Sequence, residues 1–223
     1  MSRSPVPIGA VLTGSHNPMA PSRVIFAGRG LSVEDRMTHR HIEIRTNRLK
    51  LVALNVALSK LQMTDRESFF EALCVRSEPV WPPELMDTSA LQQVDERLRA
   101  DPGEAGWLTW IFIWPGVAGQ PGRLVGAGGF KGAPDAAGNV EIGYSMMLSF
   151  REQGLATEAV EGLLGWAESD SRVRRVIAHT RDHLTASRRV LEKTGFVETE
   201  TFADEGEGGQ VVRYERPRQA KAA

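Results

Sequence analysis

The chain has 223 residues, 41% of them hydrophobic, a formal net charge of -1 and one cysteine, Cys74. That length fits one ordinary domain, and the charge balance excludes a chain-wide pull toward nucleic acid or an anionic membrane. A lone cysteine excludes an internal disulfide framework, and no run reaches the ~18 apolar residues of a membrane-spanning helix.

These bounds predict a soluble, cytoplasmic protein in which Cys74 is a small buried apolar residue rather than a nucleophile. Residues 1–40 read as an unfolded extension, punctuated by Pro5, Pro7, Pro18 and Pro21. Its arginines at 3, 23, 29, 36 and 40 outnumber Glu34 and Asp35, so a basic arm for RNA is the alternative. Translation beginning at Met37 is another. The folded domain is expected over residues 41–217, with a tail at 218–223.

From His41 to Leu54 the pattern "HIEIRTNRLKLVAL" alternates apolar and polar, which predicts two short strands or one bent strand. Thr64 to Val75 reads as a helix capped by Thr64, with Phe69, Phe70 and Leu73 as its apolar stripe. Thr88 to Asp101 reads as another, stopped by Pro102. Gly106 to Trp114 and Arg123 to Gly132 read as paired strands joined through Pro121-Gly122, with the tryptophans mostly in the core. Gly138 to Leu148 is a further strand, Thr157 to Glu168 a helix and Val173 to Thr180 a strand. A helix ending at Gly195 and a strand from Gln210 to Arg216 complete a mixed α/β or α+β single domain.

The stretch "REQGLAT", Arg151 to Thr157, follows a strand closely and opens a helix. The first turn of a helix leaves N–H groups unpaired, and the macrodipole adds partial positive charge there. Gly154 and Ala156 keep side chains clear of that backbone, and Arg151 adds a fixed charge with planar donors. The loop therefore suits a phosphate. Gly-x-Gly-x-x-Gly and Gly-Lys-Ser/Thr signatures are absent from the sequence, which excludes a dinucleotide fingerprint and a P-loop.

Three segments match one family in order and spacing: "EIGY" at 141–144, "REQGLATEA" at 151–159 and "SRRVLEKTGF" at 187–196. The chain resembles the GCN5-related N-acetyltransferases, most closely the branch containing ribosomal-protein N-terminal acetyltransferases. The likeness is strong over residues 140–196 and weaker over 43–216. It implies a twisted, mostly antiparallel mixed sheet flanked by helices and splayed at an acetyl-CoA site. Backbone N–H groups of Glu152, Gln153, Gly154, Leu155, Ala156 and Thr157 would hold the pyrophosphate beside Arg151. Ser145 to Leu148, with Met146 and Met147, would pair with the pantetheine arm, and Ser187 would lie near the cofactor. Two departures stand out. Leu184 replaces an asparagine common in the family, and Leu148 replaces a frequent proline.

Acetyl transfer needs an uncharged amine, a base to secure it and donors aimed at the thioester oxygen. Backbone N–H groups over Met146 to Leu148 are candidates for the last role. Glu141 is the family's glutamate and the candidate base; pairing with a basic neighbour is its alternative role. Strand alternation puts Glu141, Gly143 and Ser145 on one face and Tyr144 on the other. The family's acid tyrosine is matched by Leu191, so the general acid is unassigned. His179 and His183 read as surface or structural residues, and Glu158 and Glu161 as partners of the helix dipole. The resulting expectation is direct acetyl transfer from acetyl-CoA to a primary amine, without a metal. The acceptor is a protein N-terminus or a small molecule, with no membrane or nucleic acid as partner and room for a homodimer. A non-catalytic acyl-CoA sensor on the same fold is the alternative.

Overall fold

The computed structural model describes residues 41–84, 86–203 and 209–218. The expectations for residues 1–40, for the tail beyond 218 and for Met37 lie outside them.

Alternation in the first segment folds into a hairpin, β1 (Glu43–Arg45) and β2 (Lys50–Ala53), closed by Thr46 N–H donating to the Leu49 carbonyl at 2.9 Å. Two helices follow where one was expected. The first, α1 (Val56–Thr64), is capped by Asn55, whose side chain accepts from Leu58 N–H. The second, α2 (Arg66–Ala72), is capped by Asp65 rather than Thr64, because Asp65 accepts from Ser68 N–H while Thr64 ends the preceding helix. Helix α3 (Thr88–Ala100) is capped by Asp87. After it come β3 (Thr109–Trp114), β4 (Arg123–Phe130) and β5 (Asn139–Met146). Then α4 (Leu155–Ser169), β6 (Arg175–Arg181) and α5 (Thr185–Lys193) alternate. The chain closes with β7 (Val197–Ala203) and β8 (Gln210–Pro217). Gly195 takes φ +82°, the left-handed stop expected after α5.

Among the described residues eight strands form one sheet in the order β1-β2-β3-β4-β5-β6-β8-β7, flanked by five α-helices. Every pairing is antiparallel except that of β5 with β6. Helix α4 packs on one face, burying Leu155, Ala159, Val160, Leu163, Leu164 and Ala167. There Trp166 meets Trp107, Trp110 and Phe130 at 4.5, 5.3 and 5.8 Å between ring centroids. The tryptophan expectation holds for Trp107 and Trp110, which are buried, while Trp114 is 38% exposed. Cys74 departs from expectation. It is exposed and sits at φ 54°, because the chain turns sharply between α2 and the bridge at Val75.

Candidate active site

The parallel pair is short. Its register runs from Asn139 opposite Arg175 to Ile142 opposite Ala178 and then stops. Beyond that point β5 stays with β4 as far as Met146, and β6 stays with β8 as far as Arg181. The two strands diverge, leaving a wedge whose walls begin at Gly143 and His179.

At the far end of β5 the chain makes a single helical turn, Leu148–Phe150, and enters α4 through Gly154. Gly154 is left-handed at φ +73° and caps α4 without a side-chain bond; Glu152 is left-handed too, at φ 62°. The helix starts at Leu155, two residues earlier than expected, so Thr157 lies within its first turn. None of the N–H groups from Glu152 to Thr157 donates to another described residue. A left-handed glycine in front of six unspent donors fits a phosphate group.

Arginines bracket this loop. Arg151 donates from Nη2 to Glu84 at 2.6 Å and from Nε to the Met146 carbonyl at 3.2 Å. Arg48, which no local pattern singles out, donates from Nη1 to the Gln153 carbonyl at 2.9 Å. A Cβ placed on Gly154 would lie 3.5 Å from Arg48 Nη2. Glu158 anchors that arginine, so its role is structural as well as dipolar. Burial pushes its carboxyl up, and the bonds from Thr46 and Arg48 outweigh this and hold it low.

The stretch expected to meet the pantetheine arm offers its backbone unevenly. Met146 and Met147 are buried in the core, and Met147 N–H donates to the Val125 carbonyl at 2.9 Å, so it is not free for a thioester oxygen. Leu148 N–H donates to no described residue. Ser187 lies on α5 and accepts at its carbonyl from Tyr144 Oη at 3.1 Å, which ties α5 to the α4 face of β5. Burial pushes the Tyr144 phenol up to about 12, against the lowering effect of its Ser187 bond.

On the other face, between α3 and strands β3 to β5, lies a cleft of about 500 Å³. Met86 and Val94 from the α3 side, Thr109, Lys131, Gly143 and Ser145 line it. Glu141 sits beside it on the same strand face. Its carboxylate forms an ion pair with Lys131 and contacts His179 Nδ1 at 3.0 Å. Burial raises the Glu141 carboxyl, but the hydrogen bonds and charges of Lys131 and His179 outweigh this and lower it. Pairing with a basic neighbour, the alternative read from the sequence, is thus present, and Glu141 stands one strand step before the wedge. His179, read as structural, is brought into the same cluster, whereas His183 lies against Asp182.

No group of three or more His, Cys, Asp or Glu side chains suited to a metal occurs among the described residues. No helix among them is long and apolar enough to cross a membrane.

Residues 55–197 match the family model described as an acetyltransferase (GNAT) domain. The chain is 30% identical over 154 residues to the uncharacterized N-acetyltransferase YjdG of Bacillus subtilis, covering 69% of this chain and 89% of that protein. Among solved structures, Mycobacterium smegmatis RimJ in complex with CoA-disulfide is similar at TM-score 0.53 and 18% identity. That match covers 79% of this chain and 86% of RimJ. RimL, a ribosomal L7/L12 alpha-N-protein acetyltransferase in complex with coenzyme A, is similar at TM-score 0.53 and 16% identity, covering 79% and 98%.

Proposed function

The chain belongs to the GNAT acetyltransferase family, and on that premise we propose that it moves an acetyl group from acetyl-CoA directly to a primary amine. The observation that carries this reading is the row of unspent N–H groups from Glu152 to Thr157, set at the end of the strand that forms one wall of the wedge. They would hold the pyrophosphate, with Arg151 and Arg48 beside it. The thioester would then reach the cleft through the wedge, passing from the α4 face to the α3 face. Leu148 N–H, which donates to no described residue, is one backbone donor for the thioester oxygen, and Met146 N–H, which alternates with the β4-bonded Met147 and so faces the wedge side, is the other.

The acceptor enters from the cleft, as a protein N-terminus or a small-molecule amine. An ammonium has no lone pair, so the amine must give up its proton at the cluster built on Glu141. Attack forms a C–N bond and expels the CoA thiolate. No acyl-enzyme is needed, and Cys74, on the connection to the Val75 bridge, takes no part.

Thiol release from acetyl-CoA, measured with tripeptides, polyamines, amino acids and an aminoglycoside, tests the reading. Wild type should turn over at least one class. Glu141→Gln should bind acetyl-CoA but turn over far more slowly, and Gly154→Asp should lose acetyl-CoA binding. Tight acetyl-CoA binding without turnover on any amine would favour an acyl-CoA sensor instead.

A further inference from the structure

His179 is the first residue of β6 past the last paired position, Ala178. It shares the cleft-side face with Glu141, because Glu141 lies opposite Ile177 and His179 follows two residues later. Its Nδ1 lies 3.0 Å from Glu141 Oε1, and its ring meets Phe202 edge-on at 6.0 Å between centroids. Nε2 has no partner among the described residues.

An ionised carboxylate only accepts hydrogen bonds, so the proton between the two residues sits on Nδ1. In the neutral imidazole, Nε2 then carries the lone pair. Glu141 is a poor proton acceptor in this setting, because taking a proton would break its ion pair with Lys131. It is well placed to orient a neighbouring imidazole and stabilise the imidazolium, the division of labour seen in carboxylate–histidine catalytic pairs.

We infer that His179 Nε2 takes the proton from the attacking amine, with Glu141 as the positioning carboxylate behind it. This rests on the reading that the chain acetylates amines. The amine nitrogen forms its bond to the thioester carbon while the carbonyl π pair moves onto oxygen. One N–H proton passes to His179 Nε2. Collapse breaks the C–S bond, the thiolate leaves, and the imidazolium proton passes to it or to solvent, restoring neutral His179.

The charged groups around His179 come from every neighbouring strand. Glu141 faces it from β5 and Lys131 stands behind Glu141 from β4. On β8 its register partner is Arg213, engaged by Glu215 at 2.8 Å. On β7 Glu200 lies opposite Arg213, and Arg181 follows two residues along β6.

The test uses the full chain, acetyl-CoA and the best amine from the panel above. His179→Gln should lower kcat/KM by about 10² to 10³ while acetyl-CoA affinity stays within about twofold. Glu141→Gln should lose less and keep the rising acidic limb of the pH–rate profile. Imidazole ¹⁵N spectra should show His179 as the Nδ1–H tautomer in wild type. Turnover with an unchanged pH profile in His179→Gln, a Glu141→Gln variant whose acidic limb vanishes, or an Nε2–H tautomer would each overturn the inference. Absence of turnover on any amine would instead bring down the reading beneath it, and the inference with it.

Discussion

Arg48 and Glu158 lie 110 residues apart and are locked together twice. The Arg48 backbone N–H donates to Glu158 Oε1 at 2.5 Å, and its Nε donates to Oε2 at 2.6 Å. Thr46 Oγ1 adds a third bond at 2.6 Å, and Nη1 of the same arginine reaches the Gln153 carbonyl. The β1–β2 hairpin thus holds both the loop and the first turn of α4.

Removing that anchor should show in stability. Glu158→Ala should cost about 2 kcal/mol, the scale of losing charge-assisted bonds from a partly buried group. Because the folded-state carboxyl is held low, its contribution is present above the unfolded value and is lost as pH falls through the folded one. Urea titrations of wild type and Glu158→Gln should therefore converge as the solution is acidified through and below the ordinary carboxylate range.

Gly154 combines a left-handed φ with open space, since only Arg48 Nη2 lies near a Cβ there. Gly154→Ala should cost about 1 kcal/mol of stability through backbone strain. The added methyl should also weaken acetyl-CoA by about tenfold, as donors lose their approach to the phosphate. Thermal melts and isothermal titration separate the two effects.

Gly143 invites the opposite experiment. Nothing lies within 4 Å of a Cβ there, and its φ is outside the left-handed region, so neither packing nor backbone requires glycine. The position lines the cleft at the mouth of the wedge. Gly143→Val should leave the melting temperature unchanged or raised, since valine suits a strand better. Acetyl-CoA should bind as before, while kcat/KM for the acceptor falls.

Tyr144 is the tyrosine nearest the wedge, and its role is testable by removing one oxygen. A phenol held near 12 gives up its proton reluctantly at neutral pH, and this one is already donating to the Ser187 carbonyl. Tyr144→Phe should cost about 1 kcal/mol of stability and less than tenfold in turnover. A collapse in kcat with normal folding would make it the missing acid.

Much of this architecture was readable from spacing. The strand at Asn139–Met146, the helix behind Gly154 and the glycine stop at Gly195 each carry a local signal, in period or in backbone demand. What escaped lacked one. Val197–Ala203 reads "VETETFA", every residue of it exposed, so no apolar face marks it as a strand; it exists because β8 offers an edge. Arg48 escaped because its importance lies in a partner 110 residues away. His179 was set aside for the same reason, since its contact with Glu141 spans 38 residues. Cys74 was misjudged because composition predicts burial by residue type, whereas a left-handed turn placed it outside.

The wedge has a consequence for how such a chain can change. On the proposed reading its donor side is written largely in main-chain atoms, which mutation does not delete, so drift at Leu148 or Leu184 would leave that grip in place. On the same reading its acceptor side is written in side chains borne by α3 and the neighbouring strands, on the opposite face. Each inscription can be revised without erasing the other, so one fold can keep its acetyl donor across a lineage while exchanging the molecules that receive it.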